Sequence, residues 1–234
     1  MSGRVAVVTG ANRGIGREVA AQLAAAGDTV ILTARDHRTA QDAADALAGL
    51  GVGGAVVAHQ LEVTHRAGAA ALAEFVGERF GRLDVLVNNA AIHYDTQETA
   101  AAADLTIVRE ALETNLLGAW QVTHALLPLL RGSGHGRIVN VSSEGGSLTN
   151  MGGGIPAYRV SKAALNALTR MLAVELRADR ILVNSVCPGW VATDMGGPGG
   201  RPVHDGAASI MWAIDLPDAG PTGGFYRDGR PLPW

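Results

Sequence analysis

Short runs of apolar, β-branched residues alternate along the chain with alanine-rich stretches whose apolar positions recur at helical spacing. The apolar runs predict strands at 4–9 (RVAVVT), 28–34 (DTVILTA), 54–60 (GAVVAHQ), 82–89 (RLDVLVNN), 136–143 (GRIVNVSS) and 180–187 (RILVNSVC). Between them the spacing predicts helices from about Gly14 to Ala26, from the second strand to about Leu50, and over 66–80, 104–130 and 156–178. Pro128 sits where the longest of these is expected to stop. Beyond Gly196 the chain turns glycine- and proline-rich, with one short apolar helix near 206–216 and a candidate edge strand at 223–228.

Strands that are apolar throughout, each followed by a helix, belong to a sheet covered on both faces. Right-handed crossovers then give the α/β class: a doubly wound parallel sheet of about seven strands, with a ligand crevice beyond the strands' carboxyl ends. No repeat or charged linker divides residues 1–234, so a single domain is expected.

Composition narrows what such a sheet can do. Charged residues are 18% of the chain and the net charge of −3 is spread along it, so no basic stripe marks a nucleic-acid binder. No apolar run approaches the ~18–20 residues of a membrane span. Cys187 is the sole cysteine, which excludes an internal disulfide and fits a reducing, cytoplasmic setting. The seven histidines lack metal-ligand spacing, so no metal is expected. Among 19 basic residues, Lys162 is the only lysine.

The stretch VVTGANRGIG (7–16) sets Gly10, Gly14 and Gly16 between the first strand and the first helix. Its G-x-x-x-G-x-G spacing departs from the common G-x-G-x-x-G fingerprint, and a glycine-rich turn can be purely structural. A strand before and a helix after nonetheless make the setting in which a helix N-terminus receives a pyrophosphate. Arg13 lies in the loop and Arg35 just past the second strand, while Ala34 stands where an acidic residue would hold the ribose 2′-hydroxyl of NAD. Two guanidiniums beside an uncharged position suit a 2′-phosphate, so NADP(H) is the expected cofactor. The competing expectations are solvated ion pairs for these arginines, and an Asp36 that orients Arg35 or touches the ribose.

Tyr158 and Lys162, four apart on a predicted helix, share one face. An ammonium ~6 Å from a phenol, at an effective dielectric of ~20, favours the phenolate by ~3 kcal/mol. That is ~2 pKa units, which would bring Tyr158 into use as an acid/base near pH 7–8. Ser142 and Ser143 are expected to end the fifth strand; successive residues point to opposite faces, so only one can share a pocket with Tyr158. Asn115, mid-helix and against propensity, is expected to bind a water or a backbone group.

These residues resemble the short-chain dehydrogenase/reductase family, and SLTNMGGGIPAYRVSKAALNALTR (147–170) and GPTGGFYRDGRPLPW (220–234) look like its carbonyl-reductase-like branch. TGANRGIG (9–16), NNAA (88–91), YRVSK (158–162) and CPGWVATDM (187–195) look like its motifs, with Ala91 in place of a usual glycine. The resemblance implies a Rossmann-type fold and the catalytic residues Asn115, Ser143, Tyr158 and Lys162. Asn115 would anchor a proton-relay water, Ser143 orient the substrate, Tyr158 act as acid/base, and Lys162 tune it and bind ribose. Cofactor contacts are implied for Gly10, Asn12, Arg13, Gly14, Ile15, Gly16, Arg35, Val63, Asn89, Ala90, Pro188, Gly189, Val191 and Thr193, besides Tyr158 and Lys162. Glu62, where an aspartate is usual, would meet the adenine amine. The implied activity is NADPH-dependent reduction of ketones and aldehydes, reversible as alcohol oxidation. A pocket wall of Ile92, His93, Tyr94, Leu148, Met151 and Trp190 points to an apolar or aromatic small-molecule substrate. Members with a long insertion between serine and tyrosine have association blocked; only 14 residues (144–157) intervene here, leaving a homodimer or homotetramer open. The other class to weigh is a non-catalytic NADP(H) sensor, against which the intact Tyr–Lys pair argues.

Overall fold

In the computed structural model of the protein, which describes residues 3–234, strand and helix alternate as the apolar pattern requires. The elements are β1 (Val5–Val8), α1 (Gly14–Ala25), β2 (Thr29–Ala34), α2 (His37–Ala48), β3 (Ala55–Gln60), α3 (Arg66–Phe80) and β4 (Val85–Asn88). Then come α4 (Leu105–Leu112), a π-helical turn (Glu113–Gly118), α5 (Ala119–Ser133), β5 (Arg137–Val141), α6 (Pro156–Glu175), β6 (Leu182–Val186), α7 (Val203–Ile214), β7 (Phe225–Arg227) and β8 (Arg230–Pro231). They form one sheet in the order β3-β2-β1-β4-β5-β6-β7-β8, parallel except for the antiparallel β7–β8 pair. The expected seven strands become eight because β8, two residues long and proline-containing, carries no apolar run to announce it.

Alternating side chains of each strand feed two cores. Val5 and Val7 pack with α3, α5 and α6 on one face; Ala6 and Val8 pack with α1, α2 and α7 on the other. The long helix expected over 104–130 is broken by the π-turn and does not stop at Pro128. Leu126 and Leu130, both fully buried, straddle the proline, and that burial outweighs one missing N–H, so α5 runs on to Ser133. β5 ends at Val141, so Ser142 and Ser143 lie just past the strand rather than in it.

Under the carboxyl edge runs a chain of buried side-chain hydrogen bonds. Asn88 Nδ2 on β4 donates to Asn140 Oδ1 on β5 (2.8 Å) and to Thr123 Oγ1 on α5 (3.0 Å). Asn140 Nδ2 donates to Thr169 Oγ1 on α6 (2.8 Å), whose oxygen also meets Ser185 Oγ on β6 (2.8 Å).

Candidate active site

A cleft of about 1410 Å³ opens beyond the carboxyl ends of β1 and β4, where the strand order reverses. It exceeds the ~300–1,000 Å³ usual for one small ligand, so a dinucleotide and a second molecule fit together. Gly10 and Gly14 take φ of 60° and 57°, the left-handed region that favours glycine. A Cβ on Gly16 would run into Asn89 Nδ2 and lie 2.8 Å from the Gly10 carbonyl oxygen. Asn12, Arg13, Gly14 and Ile15 face the cleft at the start of α1, which has no side-chain cap and so leaves its first amides for an anion.

The loop is braced from β4. Asn89 Nδ2 donates to the carbonyls of Thr9 (2.9 Å) and Gly10 (3.1 Å), and Thr9 Oγ1 accepts from the Asn89 and Ala90 amides. The Asn89 amide nitrogen is thus engaged by protein, and only its oxygen is left for a ligand.

At the far end of the cleft, Arg35 is exposed and forms no ion pair among the described residues. Arg13 meets the competing expectation: its exposed guanidinium pairs with Asp194 at 2.6 Å. Asp36 does not orient Arg35; its carboxylate accepts from the Thr39 amide (2.9 Å) and caps α2. Glu62 Oε1 accepts from the Thr64 amide and hydroxyl, and the buried Val63 offers its carbonyl to Gln121 Nε2. Pro188, Gly189, Val191 and Thr193 line the opposite wall, Thr193 Oγ1 accepting from the Gly196 amide (3.1 Å).

Ser143, Tyr158 and Lys162 converge between these ends. Ser143 Oγ accepts from the Gly145 amide (3.1 Å), which fixes its rotamer, whereas Ser142 is buried with its hydroxyl unpartnered. Tyr158 sits in the first turn of α6, and Lys162 Nζ, 5.6 Å from its ring centroid, donates to the Val141 carbonyl (2.8 Å). Asn115 lies in the π-turn, a feature that often marks functional sites. Its side chain accepts from Ile92 N (2.8 Å) and donates to Ile92 O (3.0 Å) and Ser161 Oγ (2.9 Å), tying the segment after β4 to α6.

Burial decides the protonation of the pair. Tyr158 is pushed up to about 12, chiefly by lost hydration, with the Ser143 hydroxyl acting the other way. Lys162 is pulled down to about 8 by the same desolvation. This corrects the expectation of a phenolate near pH 7–8. Across 5.6 Å the attraction is worth about 3 kcal/mol, ~2 pKa units, which does not close the gap between about 12 and about 8. The first proton to leave, near pH 8, is the lysine's.

Ile92, His93, Tyr94 and Trp190 line the cleft; Leu148 and Met151 do not, and Leu148 is 73% exposed. Four contributors escaped sequence reasoning. Ser161 takes the Asn115 bond, Asp194 pairs with Arg13, and Cys187 Sγ accepts from the Glu144 and Gly189 amides. Asp95 Oδ2 accepts from the Ala157 amide (2.7 Å) at the start of α6. Each has at least one partner far away in sequence, so spacing alone could not reveal it.

Residues 4–201 match the family described as short chain dehydrogenase, and the chain belongs to that family of oxidoreductases. Among curated relatives, short-chain dehydrogenase/reductase 1 of Saponaria officinalis is 35% identical, covering 99% of this chain and 96% of the relative. Carbonyl reductase [NADPH] 1 of Bos taurus is 34% identical over 98% of both chains. The solved structure of NADPH-bound carbonyl reductase from chicken fatty liver superposes with a TM-score of 0.86 at 31% identity, covering both chains completely. The alignment with the Saponaria protein spans 292 positions against 234 residues here, so at least 58 of its internal positions have no counterpart in this chain.

Proposed function

We propose that the protein is an NADPH-dependent reductase of ketones and aldehydes, reversible as an alcohol dehydrogenase, built as one NADP(H)-binding domain. The observation that carries this reading is the convergence of Ser143, Tyr158 and Lys162 in one cleft beside the glycine loop. The cradle at Gly16, the uncapped start of α1 and Arg35, unpaired among the described residues, fit a dinucleotide with a 2′-phosphate. When bound, NADPH supplies the hydride. Ser143 holds the carbonyl oxygen through its hydroxyl, and Tyr158, protonated at neutral pH, delivers the proton to that oxygen. Lys162 keeps its charge beside Tyr158 below about pH 8, offsetting the negative charge left when the proton departs, and its donors reach the ribose. Asn115, whose amide hydrogens are spent on Ile92 and Ser161, would anchor through an acceptor oxygen the water that replaces that proton.

The substrate is a small carbonyl compound with apolar or aromatic surface, matched to Ile92, Tyr94 and Trp190. No helix among the described residues is long and apolar enough to cross a membrane, and the buried free thiol of Cys187 suits a cytoplasmic setting. Exposed Leu117 and Trp120, with Met171 and Val174 on α6, offer a face for a homodimer or homotetramer; light scattering of Trp120→Glu against wild type tests it. The reaction itself is tested by loss of NADPH absorbance with a panel of aryl and alkyl ketones. Tyr158→Phe should bind NADPH and lose most turnover; wild-type protein that binds NADPH and reduces nothing on the panel refutes the reading.

A further inference from the structure

Two buried polar atoms beside Tyr158 face one another without partners. His93 Nε2 and Asp95 Oδ1 are 3.9 Å apart, and neither makes a hydrogen bond. Asp95 is 1% exposed and cannot swing away, because its other oxygen accepts from the Ala157 and Tyr158 amides (2.7 and 3.3 Å). Its free oxygen is an acceptor only, so it needs a donor, and His93 Nε2–H is the donor in reach. A shift of the ring by about 1 Å brings the two to bonding distance.

That bond has a chemical consequence at the opposite edge of the ring. A neutral imidazole carries one donor and one acceptor, so a proton held on Nε2 makes Nδ1 the acceptor. Burial lowers the His93 pKa below its ordinary value, against the opposing pull of Asp95, and this keeps the ring neutral near pH 7. Nδ1 is not enclosed, and His93 lines the cleft. The ring stacks on Tyr158 with centroids 4.5 Å apart and planes 28° from parallel, so the acceptor lies one stacking distance from the tyrosine.

We propose that His93 determines substrate specificity: fixed by Asp95, it offers Nδ1 to a hydroxyl carried beside the substrate's carbonyl, and the cleft selects hydroxy ketones. With the ring centroids only 4.5 Å apart, the hydroxyl that His93 meets belongs close to the carbonyl, one or two carbons away. The inference rests on the reductase reading given above and adds the substrate class. It adds a directional polar contact to the largely apolar wall of Ile92, Tyr94 and Trp190.

The test compares 2-hydroxyacetophenone with propiophenone, which differ by a hydroxyl in place of a methyl group. The quantity read is the ratio of their kcat/KM values, in wild type, His93→Phe and His93→Asn. Phe keeps the stack and removes the acceptor; Asn restores an acceptor oxygen near the Nδ1 position. His93→Phe should lower the ratio about three- to tenfold, the worth of one neutral hydrogen bond, mainly by raising KM for the hydroxy ketone. His93→Asn should recover part of it. A ratio that His93→Phe leaves unchanged, whether both rates hold or both fall, overturns the inference while the reductase reading stands. So does an Asn variant no more selective than the Phe variant. Wild-type enzyme that oxidises NADPH with neither of these nor any other ketone defeats the reductase reading, and this inference with it.

Discussion

Lys162→Met removes the buried ammonium and keeps roughly the length of the side chain. In the wild-type protein the pair loses its first proton near pH 8, from Lys162, and phenolate beside ammonium is a minor form throughout. Its cost relative to the neutral pair is the gap between about 12 and about 8, roughly 5–6 kcal/mol, less the ~3 kcal/mol of attraction across 5.6 Å. The difference, roughly 2–3 kcal/mol, sets a phenolate population of ~1–2% that no longer changes once the pH has passed ~8. In Lys162→Met only Tyr158 titrates, so phenolate is ~0.1% at pH 9 and grows tenfold per pH unit. For NADP+-linked alcohol oxidation, wild-type kcat/KM should therefore level off above ~pH 8. The variant's should keep climbing with unit slope past pH 10, and at pH 9 run roughly 10- to 20-fold below wild type. The assay is a pH–rate profile at saturating NADP+ with the fold checked by circular dichroism. A folded variant whose profile levels off near pH 8, as wild type does, refutes the reasoning, because the plateau would belong to another group.

Further outcomes follow from the same geometry. Ser143→Ala should lower kcat ~100-fold while Ser142→Ala, whose hydroxyl is buried, stays within a few-fold of wild type; the reverse order would exclude Ser143 as the donor. Gly16→Ala drives a methyl group into Asn89 Nδ2 and the Gly10 carbonyl, and should weaken NADPH binding at least ~10-fold by fluorescence titration, cavity strain alone being worth ~1–3 kcal/mol. Ala34→Asp with Arg35→Ser should move the kcat/KM preference from NADPH toward NADH, and Arg13→Ser, already paired with Asp194, should move it less; equal wild-type values for both cofactors would contradict this. Stability carries the opposite sign from catalysis. The folded pKa of Lys162, about 8, lies below its unfolded value of ~10.4, so a burial penalty is present below pH 8 and fades as the pH rises to ~10.4. Lys162→Met should accordingly raise Tm at pH 7 and lose that advantage toward pH 10; a lower Tm at every pH would refute the penalty.

What was legible in the sequence is what depends on neighbours in the chain. The six principal strands follow from continuous apolar runs; a strand end and a four-residue helical step bring one of Ser142 and Ser143 together with Tyr158 and Lys162, and the family resemblance picks Ser143. The π-turn at 113–118 was not legible: Asn115 runs against helix propensity, but propensity cannot tell a bulge from a regular turn, and this bulge is stabilised by Asn115 reaching Ile92 and Ser161. Nor was the protonation order. It depends on how much protein surrounds Tyr158 and Lys162, and the spacing supplied only the attraction between them. The partner of Arg13 was hidden for a related reason: Asp194 lies 181 residues away, on a wall that only the folded chain brings across the cleft.

The central strands β4, β5 and β6 are buried at every position, and their apolar side chains are nearly interchangeable. Sliding one such strand by two residues keeps apolar side chains against apolar neighbours, so burial alone discriminates poorly between alignments. The chain of amides and hydroxyls from Asn88 through Asn140 and Thr169 to Ser185 discriminates well. Any slip parts Asn140 from Asn88 and leaves buried amides unpaired, at about 1–3 kcal/mol for each stranded group. Misaligned intermediates are thus penalised in the interior before any ligand can reward the right one. The height at which Ser143 meets Tyr158 is inherited from that choice, so these asparagines act on chemistry they never touch, by rejecting the sheets in which it could not occur.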